Sequence, residues 1–296
     1  MSENSVSTIY GNVGYMEIGP QNDETILLST GGGAGYDAVQ AFEWLAQEGF
    51  RVVAINRPGY YNLPLEPNYT IETHADIYHE VLTTMGISEK VHVFGVSMGG
   101  ISALYYANKY PTKSLVLWSA ITGKYKVNVS STNSALGKLV LSKKGKNLIS
   151  WLLLFSAKYF PKKTIQSFLK TESSLNKKER VSLSKEIVND PKSKKEFIVF
   201  IKSLTPMSAL YPGMMDEMVK TTKLGDVNWS GIKCPVFAVY SKIDADVSID
   251  HSQRLAEQIS NIKLKYVKAG GHFVWWGKEG EEVKQGTIKF FSKHSS

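Results

Sequence analysis

The chain is 296 residues long and 43% hydrophobic, the size of one large α/β domain or of a core that carries an inserted subdomain. Its single cysteine, Cys234, excludes a disulfide framework and a cysteine-based metal centre, and its most apolar run, 149–155, is far too short to span a bilayer. The net charge of +8 is concentrated: residues 121–224 hold 20 Lys or Arg against 7 Asp or Glu, a surplus of +13, and the rest of the chain carries −5.

That surplus reads either as a solvated helical surface or as one that attracts anionic lipid or an acidic substrate. Nucleic acid is not expected as a partner, because the lysines are scattered along helices without a recognition motif. Residues 1–8 are polar and offer no apolar core for a secretory leader, so a cytoplasmic protein is expected.

In chain order, 9–18 predicts an opening strand or hairpin, followed by a Gly-Pro turn. A short apolar strand at 25–29 precedes a helical pattern over 36–48 that ends at Gly49, and 51–55 is another strand. A helix over 70–85 is closed by Gly86. The apolar run 91–94 reads as a buried strand and 101–110 as a helix, followed by a strand at 114–118. This repeated strand–helix–strand spacing predicts a mainly parallel sheet covered on both faces. After residue 120 the rhythm changes, and 134–222 is helical or polar with no convincing strand. Strands at 235–240 and 264–267 then alternate with helices at 252–259 and 279–291. The expected organisation is an α/β core, 1–120 and 225–296, with a helical insertion at 121–224.

Between the strand at 91–94 and its helix stands Gly95-Val96-Ser97-Met98-Gly99, a G-x-S-x-G turn in a strand–turn–helix setting. A serine at the tip of such a turn is strained, with its hydroxyl pushed out of the sheet, and residues two before and two after it must lack bulk. Ser97 is therefore the candidate nucleophile. Serine needs a base, and the base needs an orienting group. Of six histidines, His74 and His79 lie mid-helix, His92 lies within a strand, His251 opens a helix and His294 is in the tail. His272, in Lys268-Ala269-Gly270-Gly271-His272-Phe273, sits on a loop at a strand's C-terminal end, where ligands gather in open α/β sheets. The loop after 235–240 holds two acids. Asp244 lies nearer the strand end and ranks above Asp246, while 119–131 contains no acid.

Oxyanion donors are expected from the Met98 backbone N–H and from Thr30-Gly31-Gly32-Gly33-Ala34-Gly35, with Gly32 preferred and Gly33 in reserve. A rival reading exists: Gly33-Ala34-Gly35-Tyr36-Asp37-Ala38 fits the dinucleotide fingerprint G-x-G-x-x-A, although Asn56-Arg57 supplies no acid for a ribose.

Together these residues resemble the α/β-hydrolase fold serine hydrolases. The chain order Ser97, Asp244, His272 is that family's order. Asn56-Arg57-Pro58-Gly59-Tyr60 is similar to its D-x-P-G-x-G segment, and Cys234 through Asp244 and Gly270-Gly271-His272-Phe273 to its acid and histidine blocks. The chain departs from it at Thr30, where many members have His, at Asn56 for Asp, at Tyr61 for the last glycine and at Ser241 for the glycine before the acid.

The resemblance implies that the insertion is a cap over the site. Expected wall residues are Tyr60, Phe273, Trp151, Tyr211 and Met214, with Tyr61, Trp275 and Trp276 as further aromatic neighbours. The lysine-flanked run 147–163 is either a helix packed by its apolar face or a lid that makes weak contact with a membrane surface. The expected activity is hydrolysis of a hydrophobic carboxylic ester through an acyl-enzyme, with no cofactor and no metal. Amide, thioester or C–C cleavage, acyl transfer and a ligand-binding receptor on the same scaffold are the alternatives. A small-molecule ester is the expected partner, and the sequence is silent on oligomeric state.

Overall fold

A computed structural model of the chain describes residues 4–21, 24–87, 89–126 and 142–295. Eight strands, β1 (Asn4–Thr8), β2 (Gly11–Ile18), β3 (Thr25–Ser29), β4 (Arg51–Ile55), β5 (Val91–Val96), β6 (Thr112–Trp118), β7 (Val236–Ser241) and β8 (Ile262–Val267), form one sheet in the order β1-β2-β4-β3-β5-β6-β7-β8. The β1–β2 and β2–β4 pairs are antiparallel and the other five parallel. β3, β5 and β7 are buried along their whole length, as continuous apolar runs in a two-faced sheet must be. β1 instead alternates, with its outer side chains half-buried or exposed, as suits an edge. The opening hairpin therefore begins at residue 4 rather than 9; the Ser/Thr alternation there reads as polar tail but suits an edge strand.

One face of the sheet is covered by α2 (Ile71–Thr84), α3 (Gly99–Lys109) and α9 (Asp250–Gln258), the other by the segment after β3, α1 (Glu43–Gln47) and α10 (Gly277–Lys293). The helix expected over 36–48 is a 3₁₀ turn, Tyr36–Phe42, followed by the short α1. Gly35 at its start offers no side-chain cap; its N–H is bonded instead to the Ser203 carbonyl, so the first turn is held by a tertiary contact.

The described part of the insertion is five helices: α4 (Lys143–Tyr159), α5 (Pro161–Glu172), α6 (Lys177–Asn189), α7 (Pro191–Ser203) and α8 (Met207–Thr222). Their boundaries are written locally. Pro161 and Pro191 open α5 and α7, Asn176 and Glu179 form a capping box on α6, and Asp190 caps α7 through Ser193 N–H. Residues 134–141 of the stretch expected to be helical or polar lie outside the described residues. Apolar side chains of α4–α7 form a third cluster that reaches down to Phe273 and Trp276 of the core. Among the described residues no helix is long and apolar enough to cross a membrane.

Candidate active site

The elbow forms because two glycines permit close approach. A methyl at Gly95 would lie 2.7 Å from the Ala103 side chain, and one at Gly99 would lie 2.2 Å from the Thr30 carbonyl oxygen. Ser97 between them has φ 52°, a left-handed conformation that L-residues rarely adopt outside constrained turns. Its N–H donates to the Trp118 carbonyl and its own carbonyl accepts from Gly100 and Ile121, so β6 and α3 hold the turn from both sides.

The three residues spread over the chain meet here. His272 Nε2 lies 3.0 Å from Ser97 Oγ, and His272 Nδ1 lies 3.0 Å from Asp244 Oδ2. A carboxylate only accepts, so in the neutral imidazole Nδ1 carries the proton and Nε2 is left to accept from the serine. Asp244 is anchored in turn: its Oδ1 accepts from the backbone N–H groups of Asp246 and Val247 at 2.8 and 2.9 Å. Asp246 lies farther off, at 3.8 Å from Nδ1, with its side chain 30% exposed against 1% for Asp244, and its other oxygen accepts from the Tyr125 hydroxyl. Burial lowers the pKa of His272, but Asp244, then Asp246 and Glu172, outweigh it and raise it to about 9.

The α5–α6 junction of the insertion threads between the two loops that carry the acid and the base. The Glu172 carbonyl accepts from His272 N–H at 2.9 Å and from Ala245 N–H at 3.4 Å, and Ser174 N–H donates to the Ile243 carbonyl. On the other side, Ser119 Oγ donates to the His272 carbonyl at 2.8 Å. The insertion is thus built into the site rather than laid over it.

The glycine loop after β3 is held from behind by a buried ionic cluster. Arg57 Nη1 donates to the Thr30 carbonyl at 2.6 Å, and Nη2 donates to the Gly31 carbonyl at 3.1 Å. Arg57 is paired with Glu217 of α8, whose second oxygen accepts from the Tyr60 hydroxyl at 2.6 Å. Burial alone would lower the pKa of Arg57; Glu217 and then Tyr60 raise it well above the ordinary value, so the guanidinium stays charged. Tyr60 in turn accepts from Gly33 N–H at 3.1 Å. That bond withdraws the reserve donor. Gly32 and Met98 keep backbone N–H groups that meet no protein acceptor among the described residues, and a methyl at Gly32 would lie 3.2 Å from Met98 Cβ, so the two stand side by side. Gly35, the second glycine of the rival dinucleotide fingerprint, bonds to Ser203 and lies against the Tyr61 ring, which closes the space a phosphate would need.

Ser97 and His272 open into a cavity of about 240 Å³ lined mainly by apolar side chains. Its walls are Phe42, Trp44 and Trp118 from the core, Phe168 and Phe200 from the insertion, and Phe273 with Trp275 and Trp276 after the histidine. Trp44, Trp118 and Trp275 stack in sequence at 5.9 and 5.7 Å. Of the residues expected near the site, Phe273, Trp275 and Trp276 line this cavity, and Tyr60, Tyr61, Trp151, Tyr211 and Met214 do not. Tyr60 is turned into the Arg57 cluster, and Trp151 is 58% exposed on the outer side of α4. Tyr211 lies under the Lys146 ammonium at 3.8 Å, and Met214 lies over Gly33 rather than in the cavity wall. Sequence reading missed Trp44 and Trp118, which look like ordinary core positions. The available signal was a tryptophan at the carboxyl end of the strand next to the elbow strand. It also missed Glu172 and the Lys284–Glu196 pair that lies at the cavity wall.

The remaining histidines are structural neighbours. His92 bonds to Ser114, His251 to Thr122, and both are lowered to about 4, by burial first. His79 stacks on Tyr110 and His294 packs on Phe290. Glu172, Asp246 and His272 offer ligand atoms within 4.8 Å of one another, but His272 faces Ser97 and Asp244 with both nitrogens, which leaves no free nitrogen for a metal.

A family model described as alpha/beta hydrolase fold matches residues 24–279. An uncharacterized hydrolase of Bacillus subtilis, YcgS, is 26% identical over 282 residues, 94% of this chain and 95% of that protein. A 2-hydroxy-6-oxononadienedioate/2-hydroxy-6-oxononatrienedioate hydrolase of Paraburkholderia phymatum is 24% identical, covering 91% of this chain and 88% of its own length. Among solved structures, an alpha/beta hydrolase fold protein from Nakamurella multipartita superposes with a TM-score of 0.87 at 23% identity, over 99% of this chain and 100% of that one.

Proposed function

The chain belongs to the α/β-hydrolase fold family, and on that premise we propose that it is a serine hydrolase that cleaves a hydrophobic carboxylic ester through an acyl-enzyme. The observation that carries this reading is the unbroken relay from Asp244 through His272 to Ser97, with 3.0 Å at each step, at the mouth of an apolar cavity. Ser97 Oγ attacks the carbonyl carbon as His272 Nε2 takes its proton. The tetrahedral oxyanion faces the N–H groups of Gly32 and Met98, each worth ~3 kcal/mol of transition-state stabilisation. His272 then returns the proton to the departing alcohol, and water, activated by the same imidazole, releases the acid.

The cavity volume lies just below the ~300 Å³ at which ligand pockets usually begin, which suits a short acyl chain or a compact aromatic acid. Its polar features favour an uncharged substrate. Lys284 is the one Lys or Arg among the described lining residues and is already paired with Glu196, while Glu172 and Asp246 add negative charge beside His272. A second reading, hydrolysis of a C–C bond in a vinylogous diketone, is favoured by the Paraburkholderia relative. Its dianionic substrate would need unpaired cations that the described lining does not offer.

The test is a panel of esters, thioesters, amides and a 2-hydroxy-6-oxo dienoate, with fluorophosphonate labelling of the wild type and of Ser97→Ala. Repeated turnover of short hydrophobic esters, with labelling abolished in Ser97→Ala, is the expected result. Turnover of the dienoate alone would transfer the assignment to C–C cleavage. Binding without repeated turnover would mark a receptor.

A further inference from the structure

The sequence leaves open whether the apolar side of the 147–163 run packs inward. In the structure Leu153, Leu154 and Ala157 pack against the insertion's own cluster, but a second apolar face of the helix is left outside. On α4, Leu148, Trp151, Leu152, Phe155 and Tyr159 recur at three- and four-residue intervals along one face and are 42–58% exposed, with Phe160 beyond the helix end at 53%. Among the described residues, six of the ten exposed large hydrophobic side chains fall within these thirteen positions. Their rings form a continuous surface, with Trp151 to Phe155 at 5.5 Å and Phe155 to Tyr159 at 4.7 Å. The opposite side of the helix, Ser150 and Ala157, is the buried one, and Ser150 Oγ accepts from Met207 N–H at 2.8 Å. A scattered apolar side chain on a surface means little, but a contiguous aromatic face of this kind marks a contact surface.

Charge identifies the partner. Residues 142–171 contain seven lysines, at 143, 144, 146, 158, 162, 163 and 170, and no Asp or Glu. Among the described residues none of the seven is ion-paired; Lys146 and Lys158 lie over the rings of Tyr211 and Tyr159. A second copy of the chain is a poor occupant, because a two-fold contact through this face sets lysines against the same lysines. We propose that the α4 face is a docking surface for an anionic lipid bilayer. The aromatic stripe enters the interfacial layer, and the lysines at both ends of the helix meet the headgroup phosphates. This surface lies on the outside of helices α4 and α5, and the proposal does not depend on the chemistry at Ser97.

Flotation of the full-length protein with vesicles tests it, using pure phosphatidylcholine and an equimolar mixture of phosphatidylcholine and phosphatidylglycerol. Binding is expected to the anionic vesicles, weakly to the neutral ones, and to fall as salt is raised. Each substitution among Lys143→Gln, Lys144→Gln, Lys162→Gln and Lys163→Gln should lower partitioning about fivefold. The double variant Phe155→Ser/Tyr159→Ser, at exposed positions, should lower it ~10-fold or more with the hydrolysis of a soluble ester unchanged. Failure of the wild type to float with anionic vesicles would overturn the proposal, as would variants that float as well as the wild type. A concentration-dependent dimer that is lost in Phe155→Ser/Tyr159→Ser would reassign the face to self-association.

Discussion

His272 and His74 are both buried, each lies near a buried carboxylate, and they end in opposite electrostatic states. Around His272 stand Asp244, Asp246 and Glu172, which overcome desolvation and raise its pKa to about 9. His74 has Glu217 at 3.8 Å, but that carboxylate is bonded to Arg57 and Tyr60, and burial first, then the charges of Arg57 and Lys220, hold the imidazole well below its ordinary value. Its Nδ1 meets Ser102 Oγ at 3.0 Å and its Nε2 has no partner among the described residues, the pattern of a neutral packing residue. Burial alone does not decide whether a histidine works as a base. What decides is whether the neighbouring carboxylates are free to face it or are already neutralised by a cation.

The hardest test of that contrast removes Asp244, the proposed orienting acid. Asp244→Asn should lower kcat by ~10⁴ while leaving the fold intact, because the amide favours the wrong imidazole tautomer. Steady-state kinetics checks this, and a comparable loss in Asp246→Asn instead would reassign the orienting role.

At the other histidine the same chemistry should appear as stability. Glu217→Gln leaves the Arg57 charge buried without a counter-ion, which costs about 3–5 kcal/mol in comparable settings. Urea denaturation reads the loss, and kcat should fall as well, since Arg57 and Tyr60 hold the carbonyls of Thr30 and Gly31 and the N–H of Gly33. Unchanged stability in Glu217→Gln would mean that the cluster is not ionic.

A smaller effect sharpens the comparison through pH. His272, the proposed base, can work only when neutral, and its pKa is raised, so kcat/KM should climb with pH and level off above about 9. Glu172→Gln removes one of the three charges that raise it, and the acid limb should move to lower pH. A limb that stays in place would show that Glu172 does not act on His272.

The elbow, the mainly parallel character of the central sheet and the meeting of Asp244 with His272 were legible because each rests on local rules. Apolar runs bounded by turns become buried strands, small residues flank Ser97 because strand and helix must approach, and catalytic loops follow the carboxyl ends of strands. Asp244 was separable from Asp246 by its distance to the strand end, since the turn after β7 directs the earlier carboxylate inward and leaves the later one half-exposed. The wall residues were misread for a related reason. Tyr60, Met214 and Tyr211 are near the insertion in the fold, but which side of them faces the cavity depends on Glu217, 157 positions from Tyr60.

Composition, periodicity and turn chemistry therefore determine, without coordinates, an α/β core, a basic helical insertion and three residues able to meet at one rim of the sheet. They are properties of single elements, set by hydrophobic burial and backbone sterics over a few residues. Only the tertiary structure decided that Gly33 is bonded to Tyr60, that Trp44 and Trp118 wall the cavity, that three carboxylates surround His272, and that the aromatic side of α4 faces outward. Those outcomes depend on which desolvated charges and faces are brought together by packing, and a side chain carries no record of its distant neighbour until the helices of the insertion have docked.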